Sequence, residues 1–270
     1  MPTYVIVGAS RGLGYQYLKT LSKDSENIVI GIARNSSKVQ TQIDADGLPG
    51  SVHVVHGDMA AAASITAAAR CVSSISDTVD YLIINGAYIN DGETFFMKPS
   101  DFTGKEALFE MELGKSMATN ASGVLFTINA FIRLVQRSDI KKIVVVSTGI
   151  SSPEFISTVG LVDALPYSMS KTAVNLLVQK FAIEYKEEGI IFLSLSPGLV
   201  ATASESLSTI SDERLAAFKL LSERFLKYEP NFTGPISPEE SVEKQLMVIH
   251  NITLRDSGAF LSHHGNQRWI

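Results

Sequence analysis

Thr3-Tyr4-Val5-Ile6-Val7 runs directly into Gly8-Ala9-Ser10-Arg11-Gly12-Leu13-Gly14, and this junction decides the fold. Five apolar or β-branched residues make a strand-length run, continuous as in a strand covered on both faces. The glycines permit a tight turn and a close backbone approach. The residues after them read as a helix whose first N–H groups have no intrahelical partner and carry partial positive charge, a setting suited to a pyrophosphate. Gly8, Ser10, Arg11, Gly12, Leu13 and Gly14 are therefore the first candidate nucleotide contacts. Three glycines at this spacing are a weak signal alone, and their place after the first strand of an alternating chain gives them force.

The alternation continues to the end of the chain. Strands are expected at Thr3–Val7, Ile28–Ala33, Val52–Val55, Val79–Ile84, Ile143–Val146 and Ile190–Leu195, with a short last one near Gly258–Leu261. Helical patterns lie between them at Gly12–Ser22, Ala60–Ser74, Thr103–Arg137, Leu165–Glu187 and Pro238–Asn251, the long third one read as more than one helix. Such a chain predicts an α/β fold, a doubly wound parallel sheet of about seven strands with helices on both faces. No repeat or low-complexity linker divides it, so one domain over residues 1–270 is expected, nucleotide-binding in its first part (1–150) and catalytic and substrate-binding in its second (151–270).

Composition sets outer limits. With 270 residues, 45% of them hydrophobic, the chain can bury one large core. A formal net charge of -5 supplies no general positive field for nucleic acid or an anionic membrane. The apolar run at the N-terminus is too short for a signal peptide or a membrane span, so a cytoplasmic protein is expected. Cys71 is the sole cysteine; its Ala-rich surroundings suggest a small buried helix residue. His53 and His56 project to opposite faces of a strand, His263 and His264 are mere neighbours, and no zinc or iron set is visible.

The chemistry is carried by Pro166-Tyr167-Ser168-Met169-Ser170-Lys171. Tyr167 and Lys171 stand one helical turn apart on one face, where an ammonium can draw a phenol's pKa down toward neutrality. Together with the glycine turn, this pair identifies the chain as a member of the short-chain dehydrogenase/reductase family, which it resembles over nearly its whole length and in the family's motif order. Asp58 resembles the adenine-side aspartate, with Met59 beside it. Asn85-Gly86-Ala87 is similar to the family's Asn-Ala-Gly with its last two residues interchanged. Asn120 resembles the helix asparagine of the catalytic tetrad, and Ser147-Thr148 falls where the family has Ser-Ser. Ser196-Pro197-Gly198-Leu199-Val200-Ala201-Thr202 is similar to the segment that closes over the nicotinamide, which brings in Pro197, Gly198, Val200 and Thr202.

By that resemblance the protein is a Rossmann-like NADPH-dependent carbonyl reductase, reversible to alcohol oxidation, with a small-molecule substrate and a homo-oligomeric state. Tyr167 would give a proton to the carbonyl oxygen, Lys171 would lower the Tyr167 pKa and bind the ribose, and Asn120 would fix a water that resupplies protons. Thr148 would hold the carbonyl oxygen, with Ser147 as the alternative. NADP is expected over NAD because Arg34 and Asn35 follow the second strand where NAD-preferring relatives place an acid, and a guanidinium holds a phosphate that a carboxylate would repel. Arg11 adds a second cation. The interval from Thr148 to Tyr167 exceeds the family norm, making residues 150–165 a substrate-wall segment whose Glu154, Phe155 and Asp163 are read first as loop packing. Phe218, Leu221, Phe225 and Leu226 are spaced as one helix face, and Trp269 is expected to be packed or at a subunit contact. A non-redox NADP-binding sensor or structural protein, or a scaffold recruited for another reaction, is the alternative; Tyr167, Lys171 and Asn120 argue against it, since a binding module needs no proton relay.

Overall fold

The computed structural model describes residues 1–90, 93–201 and 221–270. Strands β1 (Thr3–Val7), β2 (Ile28–Ala33), β3 (Val52–His56), β4 (Tyr81–Ile84), β5 (Lys142–Val146), β6 (Ile191–Ser196) and β7 (Phe260–Ser262) form one sheet in the order β3-β2-β1-β4-β5-β6-β7. Every neighbouring pair is parallel. The helices are α1 (Gly12–Leu21), α2 (Ser36–Asp46), α3 (Ala62–Ser73), α4 (Glu93–Phe96), α5 (Glu106–Ser116), α6 (Gly123–Gln136), α7 (Pro153–Val159), α8 (Leu165–Glu184), α9 (residues 221–228) and α10 (Pro238–Asn251).

Alternate strand residues point to opposite faces, and here each face has its own core. Val5, Val7, Ile30, Ile32, Leu82 and Ile84 pack with α3, α6 and α8 through Ile65, Phe131 and Val174. Tyr4, Ile6, Val29, Ile83, Val144 and Leu193 pack with α1, α2 and α10 through Leu18, Ile43 and Val242. Complete burial of a side chain such as Ile65 or Phe131 contributes about 1.5–3 kcal/mol relative to leaving it in water. The doubly wound architecture expected from the alternation is thus present, with β1 and β2 at their expected bounds and β3 to β7 shifted by one or two residues at one or both ends. A smaller cluster of Phe155, Val159, Phe225 and Trp269 ties α7 and α9 to the C-terminal residues.

Several details differ from the sequence reading. Helix α2 was not expected; it buries only Val39 and Ile43, and its boundaries are made by the Asn35 cap and by Gly47 at φ 65. The helical stretch from Glu106 to Gln136 is continuous in space, but a π turn at Met117–Ser122 joins α5 to α6. By length and composition this stretch could cross a membrane, yet half of its most apolar window is buried inside the protein. Cys71 is exposed, not buried, because α3 turns Ile65, Ala68, Ala69 and Val72 inward and leaves Cys71 off that stripe. In α9, Phe225 is buried and Leu221 packs beside it, whereas Leu226 is 46% exposed and lies off the shared face; Phe218 lies outside the described residues. Trp269 is packed, stacked on Phe260 with ring centroids 4.2 Å apart.

Candidate active site

The strand order reverses at β1, whose neighbours are β2 on one side and β4 on the other, the switch point at whose C-terminal edge open α/β sheets place their binding crevice. Gly8 has φ +87, and a Cβ there would stand 2.4 Å from the Cα of Gly86; one on Gly14 would stand 2.0 Å from the Gly8 carbonyl oxygen. The Gly8 and Ala9 N–H groups donate to the Ile32 carbonyl at 2.9 and 3.1 Å. Asn85 Nδ2 donates to the Gly8 carbonyl at 3.2 Å, and the Asn85 and Gly86 N–H groups donate to the Val7 carbonyl. The two loops are thereby locked face to face with no room for side chains between them. A Cβ on Gly86 would also meet Met59 Sδ at 2.6 Å, which accounts for glycine in the middle of Asn85-Gly86-Ala87. At the start of α1, Arg11 makes no side-chain cap and the first turn holds no acid, so neither offsets the partial positive charge of this helix end.

Outside this cradle, Ser10, Arg11, Arg34 and Asn35 are exposed. Neither guanidinium has a hydrogen bond or carboxylate partner among the described residues, and the backbone of Arg34 is held by an N–H of His56, whose Nδ1 lies 2.9 Å from its carbonyl. The side chain of Asn35 also has a local structural role. Its Oδ1 accepts from the Lys38 N–H and the Ser37 hydroxyl, both at 3.0 Å, so it caps α2 and only its amide hydrogens remain for a ligand. Asp58 closes the β3 exit, accepting from the Ala60 N–H at 3.0 Å, while Met59 is buried beneath Gly86 and Gly123.

Tyr167 and Lys171 are both buried on α8. Lys171 Nζ donates to the Val146 carbonyl at the end of β5 at 2.7 Å and lies 6.0 Å from the centre of the Tyr167 ring. Burial pushes the ammonium down to a pKa of about 8. Burial also pushes the Tyr167 phenol well above its ordinary range, opposite to the downward shift expected from the ammonium alone. Desolvation of the phenolate alone sets the direction, and the Lys171 ammonium, 6.0 Å from the ring centre, does not reverse it. One consequence can be measured without substrate. Because the folded state lowers the Lys171 pKa, the unfolded chain binds more protons between about pH 8 and 10.5, and stability rises with pH across that window. Lys171→Met is therefore expected to raise the unfolding free energy relative to wild type at pH 7, with the difference shrinking by about 2–3 kcal/mol by pH 10. Parallel denaturant titrations at the two pH values check this; a pH-independent difference would show that the ammonium is not desolvated.

Ser147 and Thr148 part company in the structure. Ser147 is buried, and its hydroxyl donates to Asn175 Oδ1 at 2.7 Å, one turn beyond Lys171 on α8. Thr148 is half-buried, and its hydroxyl makes no hydrogen bond among the described residues, although its carbonyl accepts from the hydroxyl of Ser151 at 2.7 Å. Asn120 sits in the π turn, fully buried. Its amide Nδ2 donates to the Tyr88 carbonyl at 2.8 Å and to Ser170 Oγ at 2.9 Å, and its Oδ1 accepts from the Tyr88 N–H at 2.7 Å. Both ends of this amide thus hold the loop that follows Ala87.

At the end of β6, the Pro197 carbonyl accepts from Ser241 at 2.7 Å. Gly198, at φ +83, lies so close to His263 that a Cβ would stand 2.6 Å from its ring; burial first, then His264, lowers the His263 pKa to about 4, which keeps it neutral. Val200 pairs with Ile236, and Thr202 lies outside the described residues. Residues 150–165 include α7, and Phe155 faces the third core cluster, as loop packing predicts. A cavity of about 660 Å³ lies against this segment, beside Asn175, Gln179 and Trp269; neither Tyr167 nor Lys171 lines it, so it is not the crevice. Among the described residues, no group of three or more His, Cys, Asp or Glu side chains is placed to hold a metal ion. The partners Ser170, Asn175 and Tyr88 were missed in the sequence. Only Ser170, between Tyr167 and Lys171, had a local signal.

Comparison with known proteins gives the same answer as the geometry. The family model for short chain dehydrogenases matches residues 2–211. The short-chain dehydrogenase/reductase AacuF of Aspergillus aculeatus is 36% identical over 275 residues, with all of both chains covered. The short chain dehydrogenase virK of Hypocrea virens is 35% identical over 276 residues, again over the full length of both. Among solved structures, the NADPH-bound carbonyl reductase from chicken fatty liver superposes with a TM-score of 0.77 at 22% identity, covering 98% of this chain and 93% of that one. With its glycine cradle, its Tyr167–Lys171 pair and relatives matching end to end, the chain belongs to the short-chain dehydrogenase/reductase family of oxidoreductases.

Proposed function

We propose that the protein is an NADPH-dependent carbonyl reductase, reversible to alcohol oxidation. The observation that carries this is the buried Tyr167–Lys171 pair on α8, adjoining a β5 exit where Ser147 is engaged and the Thr148 hydroxyl has no partner among the described residues. The cradle at Gly8, Gly14 and Gly86, closed to any side chain, fits a dinucleotide pyrophosphate at the open end of α1. When bound, NADPH would supply the hydride for the carbonyl carbon. Tyr167, held protonated by burial, keeps at Oη the proton that the carbonyl oxygen requires. Lys171, with a pKa of about 8, is largely protonated at neutral pH and can favour the phenolate left after the proton has gone. Thr148 donates its hydroxyl where negative charge develops, and Asn120 fixes the loop and a water for proton resupply. Aspects of the reading that rest on the family resemblance and the acidic composition are a cytoplasmic location, a homo-oligomer and a substrate that is a small ketone or diketone.

Cofactor choice rests on two exposed guanidinium groups, Arg34 and Arg11, that have no carboxylate partner among the described residues; the chicken relative is itself described with NADPH bound. A charge-assisted contact to the 2′-phosphate contributes about 1.5–3 kcal/mol. Arg34→Ala should therefore weaken NADPH by roughly 10- to 150-fold and leave NADH nearly unchanged, and Arg34→Asp should turn the preference toward NADH. Titration of both cofactors against wild type and the two variants decides this. A wild type that binds both equally refutes the NADP assignment. Oxidation of NADPH with a panel of ketones, diketones and quinones tests the reaction itself; binding without oxidation of either cofactor would leave a non-redox NADP-binding protein.

A further inference from the structure

Neither the glycine cradle nor the Tyr167–Lys171 pair accounts for a polar stripe along the helix that carries Asn120. Glu112, Ser116 and Asn120 stand at i, i+4 and i+8, so the helix stacks them one turn apart on a single face. All three are buried, and each reaches the short loop leaving β4. Asn120 grips the backbone N–H and C=O of Tyr88. Ser116 donates to Asn90 Oδ1 at 3.3 Å. Glu112 accepts from the Tyr88 phenol at 2.8 Å and from the Asn90 amide on the same oxygen, and from Lys115 at 2.8 Å on the other.

A carboxylate taken out of water is costly unless its lone pairs are used, and these are met by three donors. Burial raises the Glu112 pKa, but the hydrogen bonds from Lys115, Tyr88 and Asn90 outweigh it and hold the carboxyl below its ordinary value. An anion so held is a fixed anchor for residues 88–90, three positions past the Asn85-Gly86 contact with Gly8.

We propose that Glu112 is a positioning residue, which stitches Tyr88 and Asn90 to α5 and so holds the β4 exit loop and Asn120 where carbonyl reduction needs them. The assignment rests on the reaction proposed above. It concerns geometry, and a neutral acceptor of the same shape should serve. Glu112→Gln can still present its Oε1 to Tyr88 and Asn90 while Lys115, on the surface, turns to solvent. Glu112→Ala removes the acceptor, and Tyr88→Phe removes one donor.

The test measures kcat and KM for a reduced carbonyl, together with amide hydrogen exchange over residues 85–90 in the protein without cofactor. Misplacement of a site by about 1 Å can cost up to 100-fold. We expect kcat to fall about tenfold in Glu112→Ala and about threefold in Tyr88→Phe, with KM changed less than about twofold. Exchange over 85–90 should quicken in both, and Glu112→Gln should match wild type in both measurements. Exchange unchanged in Glu112→Ala would overturn the stitch, as would wild-type kcat in Glu112→Ala and Tyr88→Phe. Glu112→Gln as impaired as Glu112→Ala would show that charge rather than placement matters and would equally overturn it. A wild type that oxidises neither NADPH nor NADH with any carbonyl would refute the reaction and leave the stitch to the exchange result.

Discussion

Tyr167→Phe is expected to lower kcat for carbonyl reduction by about 100- to 10,000-fold, the range that general acid–base catalysis supplies, while NADPH affinity stays within a few-fold of wild type. Hydride arriving at a carbonyl carbon leaves negative charge on oxygen, and phenylalanine keeps the ring while removing the hydroxyl proposed as the proton source. The structure adds a reason why the loss should not be repaired by water. Tyr167 is buried on α8, with Phe95 6.5 Å away between ring centroids. Steady-state rates with a reducible ketone and a fluorescence titration of NADPH separate the two quantities. Near-normal turnover in Tyr167→Phe would remove Tyr167 from the mechanism.

For the hydroxyl pair, Thr148→Val is expected to cost roughly 3 kcal/mol of transition-state stabilisation, on the order of 100-fold in kcat, by analogy with other donors to a developing oxyanion. Valine preserves the branched shape, so folding should be unaffected. Ser147→Ala should act in the opposite manner. It strips a buried hydrogen bond to Asn175, costing about 1–3 kcal/mol of stability, with little change in kcat. Thermal unfolding and kinetics on the two variants therefore give crossed results. A catalytic collapse in Ser147→Ala with an active Thr148→Val would mean that the catalytic hydroxyl is one residue earlier.

Which parts of this protein can be read from its residues follows from the range over which each signal acts. Runs such as Thr3–Val7 and Ile28–Ala33 declare buried parallel strands because a strand covered on both faces needs apolar residues at every position. The glycine turn after β1 and the one-turn spacing of Tyr167 and Lys171 are equally local, and alternation along the chain then leaves few topologies open. Helix α2 was not legible because its packing signal is two side chains, Val39 and Ile43; Asn35, read only as a cofactor contact, also caps its start through Oδ1. The exposure of Cys71 depends on which stripe of α3 faces the sheet. The Tyr167 pKa was misjudged because spacing reports the neighbouring charge and says nothing of the water excluded around it.

The sequence alone thus determined the alternating fold, the crevice-forming glycines and the pair on α8, since each is written in residues a few positions apart. The tertiary structure alone decided that Ser147 turns to Asn175 while Thr148 does not, that Gly86 and Gly8 leave no room for a Cβ, and that Glu112 meets Tyr88 and Asn90. Those relations join residues brought together only when the sheet closes, and the directions in which their hydrogen bonds point are set by packing, which no local spacing encodes.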